Sequence, residues 1–167
     1  MIIGSKVFLI VSGKDTYGII LVNNSVVGKI TPAVKTFFID GTFSVAPQGF
    51  EQLLNIAVCY RGSVLIAFSV LMTSKNSDLY IGVLRRIQAD YIQIEPRIVM
   101  ADFEAAISVA VRLVFPDAIE KGCEFHFGNA LSRRMRKPGN VSNVFSSTSE
   151  EPQCHCSYLF IAICIKN

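Results

Sequence analysis

Two acidic residues stand where the fold has no structural use for a carboxylate. Asp40 lies in Phe37-Phe38-Ile39-Asp40-Gly41-Thr42-Phe43, and Asp102 in Ile98-Val99-Met100-Ala101-Asp102-Phe103-Glu104. Each closes or interrupts an apolar, β-branched run of the kind that forms a buried strand. An ionised carboxylate there is expensive to desolvate unless a cation receives it. A divalent metal is the natural recipient. The competing reading of either residue alone is a strand-end aspartate bonded to backbone amides, which would win if the two were not neighbours in the fold.

Further downstream, Gly122-Cys123-Glu124-Phe125-His126-Phe127 carries a Cys-x-x-His pair. Such a pair can supply two of the four ligands of a zinc ion, but no convincing second pair is nearby. Cys154-His155-Cys156 is discounted, because adjacent ligands rarely face one tetrahedral ion together. A packed Cys123 and a capping His126 are therefore as well supported as zinc. Positive charge gathers at Arg133, Arg134, Arg136 and Lys137, with a smaller group at Arg85 and Arg86. Either group reads as a phosphate-binding patch or as a solvated helix face.

The bulk numbers restrict these readings. A chain of 167 residues has room for one domain with an ordinary core. Hydrophobic residues make up 51% and charged ones 17%, which excludes a disordered tail or a generic nucleic-acid arm. A net charge of +3 does not by itself identify a polyanionic partner. No apolar run reaches the roughly 18 residues of a membrane-spanning helix, and Ser12-Gly13-Lys14-Asp15 after the apolar start lack a signal-cleavage pattern. An intracellular protein is expected. Five irregularly spaced cysteines then argue for reduced thiols or a metal ligand over a disulfide framework.

The elements that must position the acids follow from periodicity. Lys6 to Val11 and Tyr17 to Val22 read as a hairpin. Thr36 to Val45, Leu53 to Tyr60 and Val64 to Thr73 read as three successive antiparallel strands, the last two joined by Arg61-Gly62-Ser63. From Ser77, a predicted N-cap, Leu79, Val83, Leu84, Ile87 and Tyr91 fall at helical spacing. Arg97 to Ala101 is a short strand, Glu104 to Val114 a helix, Ala118 to Phe125 a fifth strand, and Phe127 to Lys137 a third helix. The order β-β-β-α-β-α-β-α predicts an α/β fold with a ribonuclease-H-like mixed sheet, in which the first and fourth strands lie side by side. Asp40 and Asp102, 62 positions apart, would then meet.

Beyond this order, residues 36 to 136 resemble the catalytic region of the Mutator-like element (MULE) transposases. The likeness rests on Phe38-Ile39-Asp40-Gly41-Thr42-Phe43, Gln52-Leu53-Leu54-Asn55-Ile56-Ala57, Ala67-Phe68-Ser69-Val70-Leu71-Met72, Ala101-Asp102-Phe103-Glu104-Ala105-Ala106-Ile107, and Phe115-Pro116-Asp117-Ala118 running on to the Cys-x-x-His segment. The resemblance implies a nuclear DDE-type enzyme that cuts DNA at transposon ends and joins them to a target. It also implies Mg2+ or Mn2+ held by Asp40, Asp102 and a distant glutamate, DNA as partner, and no small-molecule cofactor. Clustered carboxylates suit that chemistry because two hard cations can bridge the scissile phosphate.

The chain departs from the pattern after Pro138. Glu150 and Glu151 are the only late glutamates and sit in a loop-like Ser-Ser-Thr-Ser-Glu-Glu-Pro stretch. The expected organisation is a β-rich lead-in over 1–35, a partial transposase core over 36–137 that is incomplete at its C-terminus, and a divergent, poorly ordered tail over 138–167. With the third acid missing, a truncated and inactive transposase domain is expected. The alternative is a domesticated nucleic-acid-binding or transcription-related protein that keeps the fold without catalysis. A third reading recruits Glu104, two residues after Asp102, to the metal.

Overall fold

The computed structural model describes residues 7–13, 15–30, 34–42, 45–91, 96–102 and 104–122. The N-terminal hairpin is β1 (Val7–Gly13) paired antiparallel with β2 (Thr16–Val22). A four-residue helix, α1 (Asn24–Val27), follows it. Asn23 caps that helix by accepting the Val26 N–H at 3.4 Å. Three antiparallel strands follow: β3 (Thr36–Thr42), β4 (Gln52–Tyr60) and β5 (Ser63–Met72). The β4–β5 turn is made by Arg61 and Gly62, both at positive φ (50° and 78°), which matches the right-handed twist of the strands it joins.

Helix α2 (Ser77–Tyr91) then leads to β6 (Ile98–Ala101), and α3 (Ala105–Val114) to β7 (Ile119–Gly122). The seven strands form one mixed sheet in the order β1-β2-β5-β4-β3-β6-β7. β6 pairs parallel with both β3 and β7. The hairpin thus extends the same sheet beyond β5. The helix expected over Phe127 to Lys137 and the end of the fifth core strand lie outside the described residues.

Strand alternation sorts the side chains onto two faces. Phe37, Ile39, Leu54, Ile56, Val99 and Ala101 pack on one face with Leu79, Val83 and Ile87 of α2 and Ile107, Ala110 and Val111 of α3. Phe37 meets Phe115 edge-on, ring centroids 6.2 Å apart. The other face carries a smaller apolar group of Phe38, Ala57 and Val64 with Cys59, Ile66 and Met100. The central strands β3 and β4 are therefore buried on both sides, which explains their nearly unbroken apolar sequences.

Helix α2 starts differently from the sequence expectation. Ser77 is its first residue, and the cap is Asn76, whose Oδ1 accepts the Leu79 N–H at 2.8 Å. Ser and Asn are comparable N-caps, so residue type did not distinguish the two positions. Replacing Asn76 with Ala should lower stability by about 1 kcal/mol in chemical denaturation. Ser77→Ala should stay within about 0.5 kcal/mol of the parent, and the reverse ranking would contradict this assignment.

Candidate functional site

The two aspartates are neighbours across adjacent central strands, Asp40 within β3 and Asp102 just past the end of β6. In the parallel β3–β6 pair Thr36 faces Ile98 and Ile39 faces Ala101, and Asp40 and Asp102 are the residues that follow that last pairing. Neighbouring strands lie about 4.8 Å apart, so the two backbones approach that closely at this level. Ile39 and Ala101 belong to the helix-side core. One step along an extended strand reverses the side, which turns Asp40 towards the Phe38 and Met100 face, while Asp102 follows the last residue of β6. Asp40 is only 9% exposed and Asp102 is half-buried. Neither is unpartnered.

The acids have polar company across the sheet. Asn55 of β4 lies opposite Asp40, and Ser69 of β5 lies opposite Asn55. Ser69 Oγ donates to Asn55 Oδ1 at 2.8 Å. A polar row thus leads away from Asp40 on the face that does not carry α2 and α3.

On the helix-bearing face, at the same end of the strands, a second set of polar groups was not foreseen. Gln52 at the start of β4 is fully buried. Its Nε2 donates to Tyr80 Oη of α2 at 2.5 Å and touches Met72 Sδ at 3.3 Å. Tyr80 Oη in turn donates to Glu104 Oε1 at 3.2 Å. Glu104 is the N-cap of α3, its carbonyl accepting the N–H groups of Ile107 and Ser108, each at 3.1 Å, while its side chain caps nothing. A legible signal for Tyr80 existed. Positions 80, 83, 84 and 87 share one helix face, and Tyr80 is the member with a polar end.

Gly41 belongs to this set as well. A Cβ at Gly41 would lie 2.8 Å from Gln52 Oε1. The glycine therefore makes room for Gln52 on the helix side. Gln52 Oε1 is itself buried without a hydrogen-bond partner, a state that costs about 1–3 kcal/mol.

The charges around Glu104 act in both directions. Burial pushes its carboxyl above the ordinary range first of all; the Tyr80 hydrogen bond and Lys75 pull it back, and Asp102 and Glu51 push it up further. Lys75 also lies 3.8 Å from Glu51. Burial likewise raises the Tyr80 phenol, so it stays a protonated donor at neutral pH.

Other expectations meet the structure unevenly. Cys123, His126, Arg133, Arg134, Arg136 and Lys137 lie outside the described residues. Arg86 pairs with Asp90 one turn along α2 at 2.7 Å, which supports the solvated-face reading for the smaller basic group. Cys59 is disulfide-bonded, so that thiol departs from the expectation of reduced thiols or a metal ligand over a disulfide framework. Spacing along the chain carries no information about which thiols meet in space. Among the described residues no helix is long and apolar enough to cross a membrane, and no group of three or more His, Cys, Asp or Glu side chains is placed to hold a metal ion.

Residues 36–130 match the model of the MULE transposase domain, and that is more than half of the chain. The chain belongs to the MULE transposase domain family. The MULE match runs from the first residue of β3 past the end of β7, and so includes both aspartates, Gln52, Tyr80 and Glu104. It ends short of Arg133. Transposition, with the DNA recombination it entails, is the activity this MULE domain family serves. No match was found among curated proteins.

Two outcomes follow from the buried polar set. Gly41→Ala should cost about 1–3 kcal/mol by overpacking against Gln52. The penalty should shrink in a Gln52→Ala background, and a double-mutant cycle with no coupling would contradict the contact. For Glu104, the folded state holds the proton more tightly than the unfolded chain does. Its contribution to stability is thus complete below the unfolded carboxyl pKa and is lost as pH rises through the folded value. In the presence of EDTA, Glu104→Gln should flatten the stability profile over that window. An unchanged slope would contradict it.

Proposed function

We propose that this 167-residue chain is a ribonuclease-H-like MULE domain whose Asp40 and Asp102 hold a divalent cation against a DNA phosphodiester. The observation that carries the reading is the β3–β6 register, which brings two carboxylates abreast on central strands of a family-matched core. The ribonuclease-H-like description is supported by three antiparallel strands, β5-β4-β3, continued by parallel β6 and β7.

The donor set fits Mg2+ or Mn2+. Such ions accept one or two carboxylates and complete their shell with water and substrate phosphate, at about 2.1 Å for Mg2+, so two side chains from strands about 4.8 Å apart can share one. When bound, the cation supplies charge stabilisation at the phosphoryl group and acidifies the attacking hydroxyl. The protein's part is placement. Asp40 is paired with Asn55 of β4, follows the last β3 residue paired with β6 and is buried, so it would be held in a fixed place for a cation. Asp102 would be the second ligand, from just past the end of β6.

Two carboxylates are a weak cradle for two-ion chemistry. With Asp40 and Asp102 as the carboxylates, we infer that this chain binds the cation and turns over poorly or not at all. Zinc at Cys123 and His126, DNA contacts from Arg133, Arg134, Arg136 and Lys137, and nuclear residence remain part of the proposal by family resemblance. The test combines Mn2+ titration with nicking of supercoiled DNA in Mg2+ or Mn2+, comparing the parent with Asp40→Asn and Asp102→Asn. Mn2+ binding lost in both variants, with no nicking above their level, is expected. Parent-like Mn2+ binding in either variant would overturn the cation site, and nicking that disappears with Asp40→Asn would overturn the inferred inactivity.

A further inference from the structure

Among the described residues, Gln52 Oε1 is the buried side-chain polar atom left without a hydrogen bond. Proton counting explains why. A tyrosine hydroxyl has one proton to give, and an ionised carboxylate can only accept. If Tyr80 Oη is to donate to Glu104 Oε1, it must accept from its other neighbour, so Gln52 has to turn its N–H group towards Tyr80. That orientation sends Oε1 the opposite way, against Gly41, where it finds no donor. Rotating the amide would satisfy Oε1 with the Tyr80 proton and leave Glu104 without it.

The two ends of this chain of bonds adjoin the acid pair. At one end Gln52 packs against Gly41, the residue after Asp40. At the other, Glu104 is two residues past Asp102 and fixes the first turn of α3 through its carbonyl. In between, α2 contributes Tyr80, which is 1% exposed. The bonds thus tie the end of β3 to the β6–α3 junction from the side of the sheet opposite the aspartates.

We propose that Tyr80 is a positioning residue that, through Gln52 and Glu104, sets the separation and direction of the Asp40 and Asp102 carboxylates. This rests on the reading of those two residues as cation ligands. It assigns Glu104 to the brace and not to the ion.

The test measures Mn2+ affinity from the electron paramagnetic resonance signal of the free ion, using the whole chain. Tyr80→Phe keeps the ring and removes the hydroxyl, and should weaken Mn2+ binding about tenfold or more, as losses behind the ligands of a metal commonly do. Glu104→Gln keeps an oxygen that can accept the Tyr80 proton, and should lose less than Tyr80→Phe. Ile87→Val, two turns further along the same face of α2 and clear of the brace, should leave affinity unchanged while lowering stability. Unchanged affinity in Tyr80→Phe beside a binding parent would overturn the brace alone. So would an equal loss in Ile87→Val, or a larger loss in Glu104→Gln, which would make Glu104 a ligand. A parent that does not bind Mn2+ would overturn the acid-pair reading and the brace with it.

Discussion

The pairing of β3 with β6 is the constraint on which the site depends. It is parallel, so it cannot be closed by a tight turn, and the chain must run through β4, β5 and α2 before the partner strand arrives. Its register is fixed by burial. Phe37 and Ile39 on β3 and Val99 and Ala101 on β6 all enter the core beneath the helices, and a slip of one residue would expose that set and bury its neighbours. The same register leaves Asp40 and Asp102 at a common level. Hydrophobic packing beneath the helices therefore sets the register that makes the Asp40 and Asp102 backbones neighbours.

The two faces of the sheet have separate tasks at this end. One offers the aspartates, with Asn55 and Ser69 beside them. The other holds the buried set of Gly41, Gln52, Tyr80 and Glu104. A buried polar chain with an orphaned oxygen is not the most stable way to fill a core, since apolar residues of similar volume would avoid the desolvation cost. What such a chain supplies is direction, because hydrogen bonds fix orientation where van der Waals contact does not. Its position next to Asp40 and Asp102 in the chain is consistent with that use.

Much of this was legible in the sequence because it rests on period and order. The change from alternating strands to helical spacing at Ser77 located α2, and the run of elements brought Asp40 and Asp102 together. Residues whose role depends on a partner from another element were not legible. The neighbour that needs Gly41 to be a glycine is Gln52, eleven positions on and across the sheet. Tyr80 did not stand out in the sequence, because its hydroxyl acquires meaning only from Gln52 and Glu104. The cap of α2 fell to Asn76 and not to Ser77, since adjacent residues of equal capping ability differ only in backbone placement. Cys59 likewise gave no sign of a bridge.

The most direct measurement of the central claim is anomalous scattering from crystals of the chain grown with Mn2+. A peak in direct contact with one oxygen of Asp40 and one of Asp102, on the sheet face away from α2 and α3, is the predicted result. A well-occupied peak elsewhere, or carboxylates directed to opposite faces of the sheet, would contradict it.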